Sequence, residues 1–137
     1  MDNVYHKSKE KLENFIYGMK KMVEQAPSKT FEDEMICRKL EGLVEKMDDV
    51  VYAIEHYSKP AREGTLRKIE NGKFDLIDAG GKSIAYFSCG SSIECELEYD
   101  GELEWFAGRV EYRDGGYYFY GADKPYLYNG MKARVRR

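Results

Sequence analysis

Histidine, cysteine, proline and long apolar runs are all scarce in this chain, and each scarcity removes a class of chemistry. The only histidines, His6 and His56, both fall in the first half. A Ser–His or Cys–His pair in the second half would have to recruit its base from the first, and Ser91 and Ser92 have no nucleophile-elbow context. The three cysteines, Cys37, Cys89 and Cys95, include no Cys-x-x-Cys pair and have no histidine beside them. That spacing does not suit a zinc site, and an odd count without a secretion signal reads as reduced thiols. No apolar run reaches the roughly 18 residues that span a bilayer, and the N-terminus opens on polar Asp2, Asn3, His6 and Lys7. Charge of one sign is missing too: 22 Lys and Arg stand against 25 Asp and Glu, for a net charge of -3. The total therefore favours neither a basic nucleic-acid binder nor an acidic nucleic-acid mimic. No Gly-x-x-x-x-Gly-Lys phosphate loop occurs, and Gly80-Gly81-Lys82 lacks the preceding frame. The expectation is a cytoplasmic protein without cofactor or membrane span, not an enzyme, that works by binding.

What is present divides at Pro60. Before it, Tyr5, Leu12, Phe15, Ile16, Met19, Met22, Val23 and Ala26 recur at helical spacing, with charged residues mainly between them. Pro27 and Ser28 break this pattern, and Thr30 with Asp33 resembles a capping box that restarts the chain as a second helix. The second helix carries a stripe of alternating four- and three-residue steps, Ile36, Leu40, Leu43, Met47, Val50, Ile54 and Tyr57. Helices over about 3–26 and 30–58 with so short a link predict an antiparallel hairpin over residues 1–59. Phe15–Ile16 and Met22–Val23 widen the first stripe beyond a single seam, so something must cover a second flank. The β half of the chain, a second copy and a binding partner are the alternatives. Leu40, Leu43, Met47, Val50 and Ile54 are the candidate self-association residues for a homodimer.

After Pro60 the period becomes two. Segments 64–69, 73–77, 84–88, 93–99, 103–112, 117–120 and 132–136 alternate or are rich in β-formers, and Asn71-Gly72, Asp100-Gly101 and Asp114-Gly115-Gly116 mark tight hairpins. Closing so short a meander removes its unpaired edges, which predicts an α+β protein whose residues 60–137 form a small antiparallel SH3-like β-barrel. Alternation places Ile93, Cys95, Leu97 and Tyr99 inward, with Glu94, Glu96 and Glu98 as an acidic ladder facing solvent. The last strand carries Lys132, Arg134 and Arg136 outward, and the two ladders either pair across adjacent strands or form separate patches. If Tyr117, Phe119, Phe106 and Val110 fill the core, then Trp105, Arg109, Tyr118 and Tyr120 share the outer face, unless a bulge at Gly108 exchanges the faces; the alternative is that Trp105 belongs to the core and the tyrosines are ordinary strand residues.

The string Gly64-x-Leu66, Asn71-Gly72-Lys73-Phe74-x-Leu76, Ile93-Glu94, Trp105-x-x-Gly108-Arg109-Val110-Glu111-Tyr112, Gly116-Tyr117-Tyr118-Phe119 and Gly130-Met131-x-Ala133-Arg134-Val135-Arg136 resembles a small domain-of-unknown-function family carried by phages and conjugative elements of Gram-positive bacteria. The resemblance covers residues 63–137 and leaves the helical hairpin outside. It implies a mobile-element setting and supplies no catalytic or binding residues. The expected role is an accessory protein with a protein partner, an inhibitor of a host defence nuclease being one version. The alternative is nucleic-acid binding through Arg109, Lys132, Arg134 and Arg136, with Tyr118 and Tyr120 as stacking platforms.

Overall fold

The computed structural model describes all residues, 1–137, which divide into two units, Met1–Lys59 and Pro60–Arg137. In the first, α1 (Asn3–Gln25) is capped by the Asp2 carboxylate, which accepts from the Val4 amide at 2.8 Å. The helix stops before Pro27, whose ring disfavours helical backbone in the residue ahead of it. The second helix, α2 (Phe31–Ser58), opens on the expected capping box: Thr30 Oγ1 accepts from the Asp33 amide at 3.0 Å, and the Asp33 carboxylate accepts from the Thr30 amide at 3.3 Å. Glu32, Asp33 and Glu34 place negative charge in the first turn, where the helix dipole favours it.

The apolar stripe of α2 divides in a way that periodicity did not resolve. The line facing α1 runs through Cys37, Leu40, Val44, Met47, Val51 and Ile54, against Leu12, Ile16, Met19 and Val23 of α1, with Ile16 and Val44 the most buried. Ile36, Leu43 and Val50 stay exposed, Leu43 and Val50 at 45% and 48%. Positions 36–37, 43–44 and 50–51 are consecutive apolar pairs, so α2 holds two seams one residue apart, and only one can face its neighbour. Leu40, Met47 and Ile54 therefore belong to the intrachain contact, and of the residues expected to mediate self-association only Leu43 and Val50 are free for it. The far flank of the hairpin is ionic, with Lys20–Asp48 at 3.5 Å and Lys9–Glu55 at 3.0 Å.

The second unit contains β1 (Ala61–Lys68), β2 (Phe74–Ile77), β3 (Ser83–Tyr86), β4 (Ser92–Tyr99), β5 (Glu102–Arg113), β6 (Gly116–Tyr120) and β7 (Lys132–Arg136), with a single 3-10 turn at Glu70–Gly72. They form one antiparallel sheet in the order β3-β2-β1-β7-β4-β5-β6. The sheet curls into a half-barrel. It is not the closed barrel expected, because β3 and β6 end the order without pairing. Asn71–Gly72, Asp100–Gly101 and Asp114–Gly115 all have positive φ at both residues, the backbone that a right-twisted hairpin turn demands and that Asn, Asp and Gly tolerate.

One face of the curl is the core, built from Leu66, Phe74, Leu76, Ile93, Cys95, Val110, Phe119, Ala133 and Val135 and filled from the loops by Phe87, Leu127 and Met131. Gly108 makes no bulge, since β4 and β5 stay in register through Ile93↔Gly108. A Cβ there would lie 2.6 Å from the Phe119 ring, so the glycine admits that ring to the core. Burial pushes the Cys95 thiol up to about 12. In the folded protein at neutral pH, an alkylating reagent should label exposed Cys89 and spare Cys95 until denaturant is added, as peptide mass spectrometry would read. Val44→Ala should lower the hairpin's stability by about 2 kcal/mol and Leu43→Ala by less than about 1, measured by urea unfolding of the helical signal.

Candidate functional site

The face of the sheet opposite the core collects the charged and aromatic residues. Strand alternation along β5 puts Trp105, Arg109, Glu111 and Arg113 on it. Register adds Tyr120 opposite Arg109, Tyr118 opposite Glu111, Glu96 opposite Trp105 and Arg134 opposite Glu94. The guanidinium of Arg134 lies 4.2 Å from the centre of the Trp105 ring, that of Arg109 4.3 Å from Tyr120, and that of Arg113 4.1 Å from Tyr118. Arg113 also covers Tyr126 at 4.9 Å, and the Lys124 ammonium covers Tyr120 at 4.7 Å. Each such contact contributes about 0.5–1 kcal/mol where exposed, and more where water is excluded.

The node of this face is Glu94, which is only 6% exposed and so departs from the solvent-facing ladder expected of it. Arg134 Nε donates to one carboxylate oxygen at 3.0 Å, Arg136 Nε to the other at 2.8 Å, and Arg136 Nη2 reaches the first at 3.1 Å. Burial by itself raises the Glu94 pKa, but the hydrogen bonds and charges of Arg136 and Arg134 outweigh it and hold the group below the ordinary carboxylate value. The two ladders thus meet at one residue. Glu96 is half-buried and Glu98 exposed, and neither has an ion-pair partner. Lys132 lies at the exposed start of β7, opposite Thr65.

Trp105, Arg109, Tyr118, Tyr120, Arg134, Arg136, Glu94 and Glu96 are therefore brought onto one face, with Arg134 and Arg136 already committed to Glu94. Several partners escape sequence reasoning. Arg113 shares the alternation of Trp105 and Arg109 and was legible in principle. Lys124 and Tyr126 were not, because the loop after β6 folds back on it through Phe119 N–H to Pro125 C=O at 2.9 Å and Leu127 N–H to Tyr117 C=O at 3.0 Å. A second ion pair, buried Asp75 with exposed Arg67, forms two bonds of 2.6 and 3.1 Å across β1 and β2. Its one signal was an acid between Phe74 and Leu76.

A cleft of about 270 Å³ opens beside the β5–β6 turn, lined by Lys68, Phe74, Tyr112, Tyr117 and Tyr126 among others. It falls just below the range in which small-molecule sites occur, about 300–1,000 Å³. No three His, Cys, Asp or Glu side chains converge as metal ligands would, and no helix is long and apolar enough to cross a membrane.

These features define a small curled antiparallel β domain that follows a helical hairpin in the chain and has an outer face of paired cations and aromatic rings. Residues 64–135 match the model of a domain of unknown function, DUF5348. That match spans more than half of the chain, and the chain belongs to this family. No curated protein and no solved structure matches it.

Glu94→Gln leaves two guanidinium groups facing a neutral amide in a site with little water. It should cost about 3 kcal/mol in chemical unfolding, against less than about 0.5 for Glu98→Gln. Because the folded-state pKa of Glu94 is depressed, its contribution is present above the unfolded carboxylate value and is lost as pH falls through the folded one. Stability measured between about pH 5 and pH 3 should therefore fall more steeply in the parent chain than in Glu94→Gln.

Proposed function

We propose that this chain is a non-enzymatic accessory protein that acts by protein–protein interaction, through the outer face of β4, β5 and β6. The observation that carries the reading is the row of guanidinium groups held over rings, Arg134 over Trp105, Arg109 over Tyr120 and Arg113 over Tyr118. Tryptophan, tyrosine and arginine are the side chains that dominate protein interfaces, and stacking already restricts them, which lowers the ordering cost of binding. Their charge is partly neutralised in place, by Glu94 beneath Arg134 and by Glu111 on Arg109 at 2.8 Å. Reading the half-barrel as SH3-like adds no binding site by analogy, and none is taken from it. The mobile-element setting implied by the sequence resemblance makes a host or element-encoded protein, such as a host defence nuclease, the natural class of target.

Nucleic-acid binding is the second reading, favoured by Arg113 and Lys124, which sit over Tyr118, Tyr120 and Tyr126 without a carboxylate partner. Against it, those ring faces are occupied by cations where bases would have to stack. Arg134 and Arg136 are also engaged by Glu94, and the unpaired carboxylates of Glu96 and Glu98 share the face.

The proposal extends to self-association of the hairpin. Phe15 and Met22 each precede a seam residue of α1, as Ile36, Leu43 and Val50 do in α2, so in an antiparallel pair the two sets share one flank. All five are exposed. Leu43→Glu should reduce the molar mass seen by light scattering to that of a monomer, and an unchanged mass would remove the dimer.

For the outer face, the test is capture from a lysate of the source organism by tagged protein, with and without nuclease, followed by mass spectrometry. A nuclease-resistant partner is expected, its affinity weakened about tenfold or more by Trp105→Ala or Tyr120→Ala. Recovery that vanishes with nuclease, together with a steep salt dependence flattened by Arg113→Ala, would replace this reading with the second.

A further inference from the structure

The β4–β5 hairpin overhangs the rest of the sheet. Pairing of β4 with β7 covers only Glu94↔Arg134 and Cys95↔Ala133, whereas pairing with β5 continues to Tyr99↔Glu102. Just before β7 the chain turns away toward β1: Gly130 N–H bonds to Leu66 C=O at 2.8 Å, and the Asn129 side chain accepts from the Lys68 amide at 2.6 Å. Beyond Glu96, whose N–H the Cys95↔Ala133 pairing directs to Lys132 C=O, β4 has a strand on one side only; Leu97 and Tyr99 turn their backbone groups to β5, so the open side presents the Glu96 C=O and the Glu98 N–H and C=O. Unpaired donors and acceptors along a strand edge are a template for one more strand.

Charge selects what can add there. Glu96 and Glu98 face the outer side of the ribbon, Glu104 and Glu102 the inner side opposite Leu97 and Tyr99, and Asp100 caps the turn. None of these carboxylates has a cation within ion-pair distance, although 22 cations are available in the chain. A second copy presenting the same ribbon would bring like charges together and be repelled, whereas an extended segment carrying Lys or Arg meets opposite charge on either face. Leu103 and Tyr99, 68% and 53% exposed, give each face one apolar anchor.

We infer that the Glu96–Tyr99 edge of β4 is a docking edge for a basic, extended peptide segment, which adds to the sheet as a further antiparallel or parallel strand. This surface is separate from the stacked outer face, and its use does not depend on the partner proposed for that face.

The test uses the full chain and a fluorescent peptide of alternating lysine and valine, compared with the same peptide N-methylated on alternate residues. Saturable binding is expected, weakening with salt. It should be about tenfold weaker or worse for the N-methylated peptide, which cannot complete the ladder, and for the variant Glu96→Lys with Glu98→Lys. Amide hydrogen exchange should slow at Glu98, whose N–H faces the open side, when the unmodified peptide is added. Equal binding of both peptides would mean diffuse charge attraction and would overturn the edge, as would no binding or unchanged exchange. Protection of the Glu98 amide that rises with protein concentration alone would assign the edge to a second copy and equally overturn the proposal.

Discussion

The β domain depends on how it closes a narrow seam. Four strands, β3, β2, β1 and β7, lie on one side and three, β4, β5 and β6, on the other, and only two residue pairs register across the join. So short a ladder has few backbone hydrogen bonds to hold two halves of a curled sheet. Two things reinforce it. On the core face Cys95 meets Ala133, both fully buried. On the outer face Glu94 grips Arg134 directly across the seam and Arg136 two residues along. A buried ion pair is rarely a net source of stability against a well-packed apolar alternative, but it is directional, and breaking one partner is costly. Its physical contribution here is register: sliding β7 along β4 would separate Glu94 from both guanidinium groups.

The outer face is ordered from that node. Arg134, held by Glu94, is the cation that covers Trp105, and Trp105 stands opposite Glu96 on the next strand. Farther along β5, Arg109 is fixed between Glu111 and Tyr120, and Arg113 donates to Lys124 C=O at 2.7 Å while covering Tyr118 and Tyr126. Each long side chain loses freedom on folding that would otherwise be lost on binding. This prior ordering is the physical basis of the proposed protein-binding role.

The near-zero net charge conceals a segregated one. Cations concentrate over the aromatic rings and at the seam, while carboxylates accumulate on the overhanging end of β4 and β5, where Cys95 and Ala133 end the pairing with β7. The two ends of the same strand therefore present opposite chemistry. A total of charges averages over this difference, and only the register of β7 against β4 reveals which glutamate is neutralised and which are not.

Local signals were enough for the elements themselves. Thr30 and Asp33 marked the start of α2 because a capping box is a contact between near neighbours in sequence. Asn71–Gly72, Asp100–Gly101 and Asp114–Gly115 marked three turns because their backbone conformation is intrinsic to those residues. Alternation likewise grouped Trp105, Arg109, Tyr118 and Tyr120 on one face and Phe119 with Val110 on the other, but left open whether Trp105 belonged to the core until the strand register decided it. The rest required partners distant in the chain. The burial of Glu94 depends on residues forty positions away, and Lys124 and Tyr126 join the face because a loop folds back on β6. The choice of Val44 over Leu43 depends on which of two equally apolar seams α1 occupies, and the open half-barrel depends on β3 and β6 ending far apart in the strand order. The sequence by itself determined the periodicities, turns and faces, which follow from local sterics and side-chain alternation. The tertiary structure alone decided which charges pair, which seam closes and which strand edge stays open, because each of these is a contact between segments that local sequence does not connect.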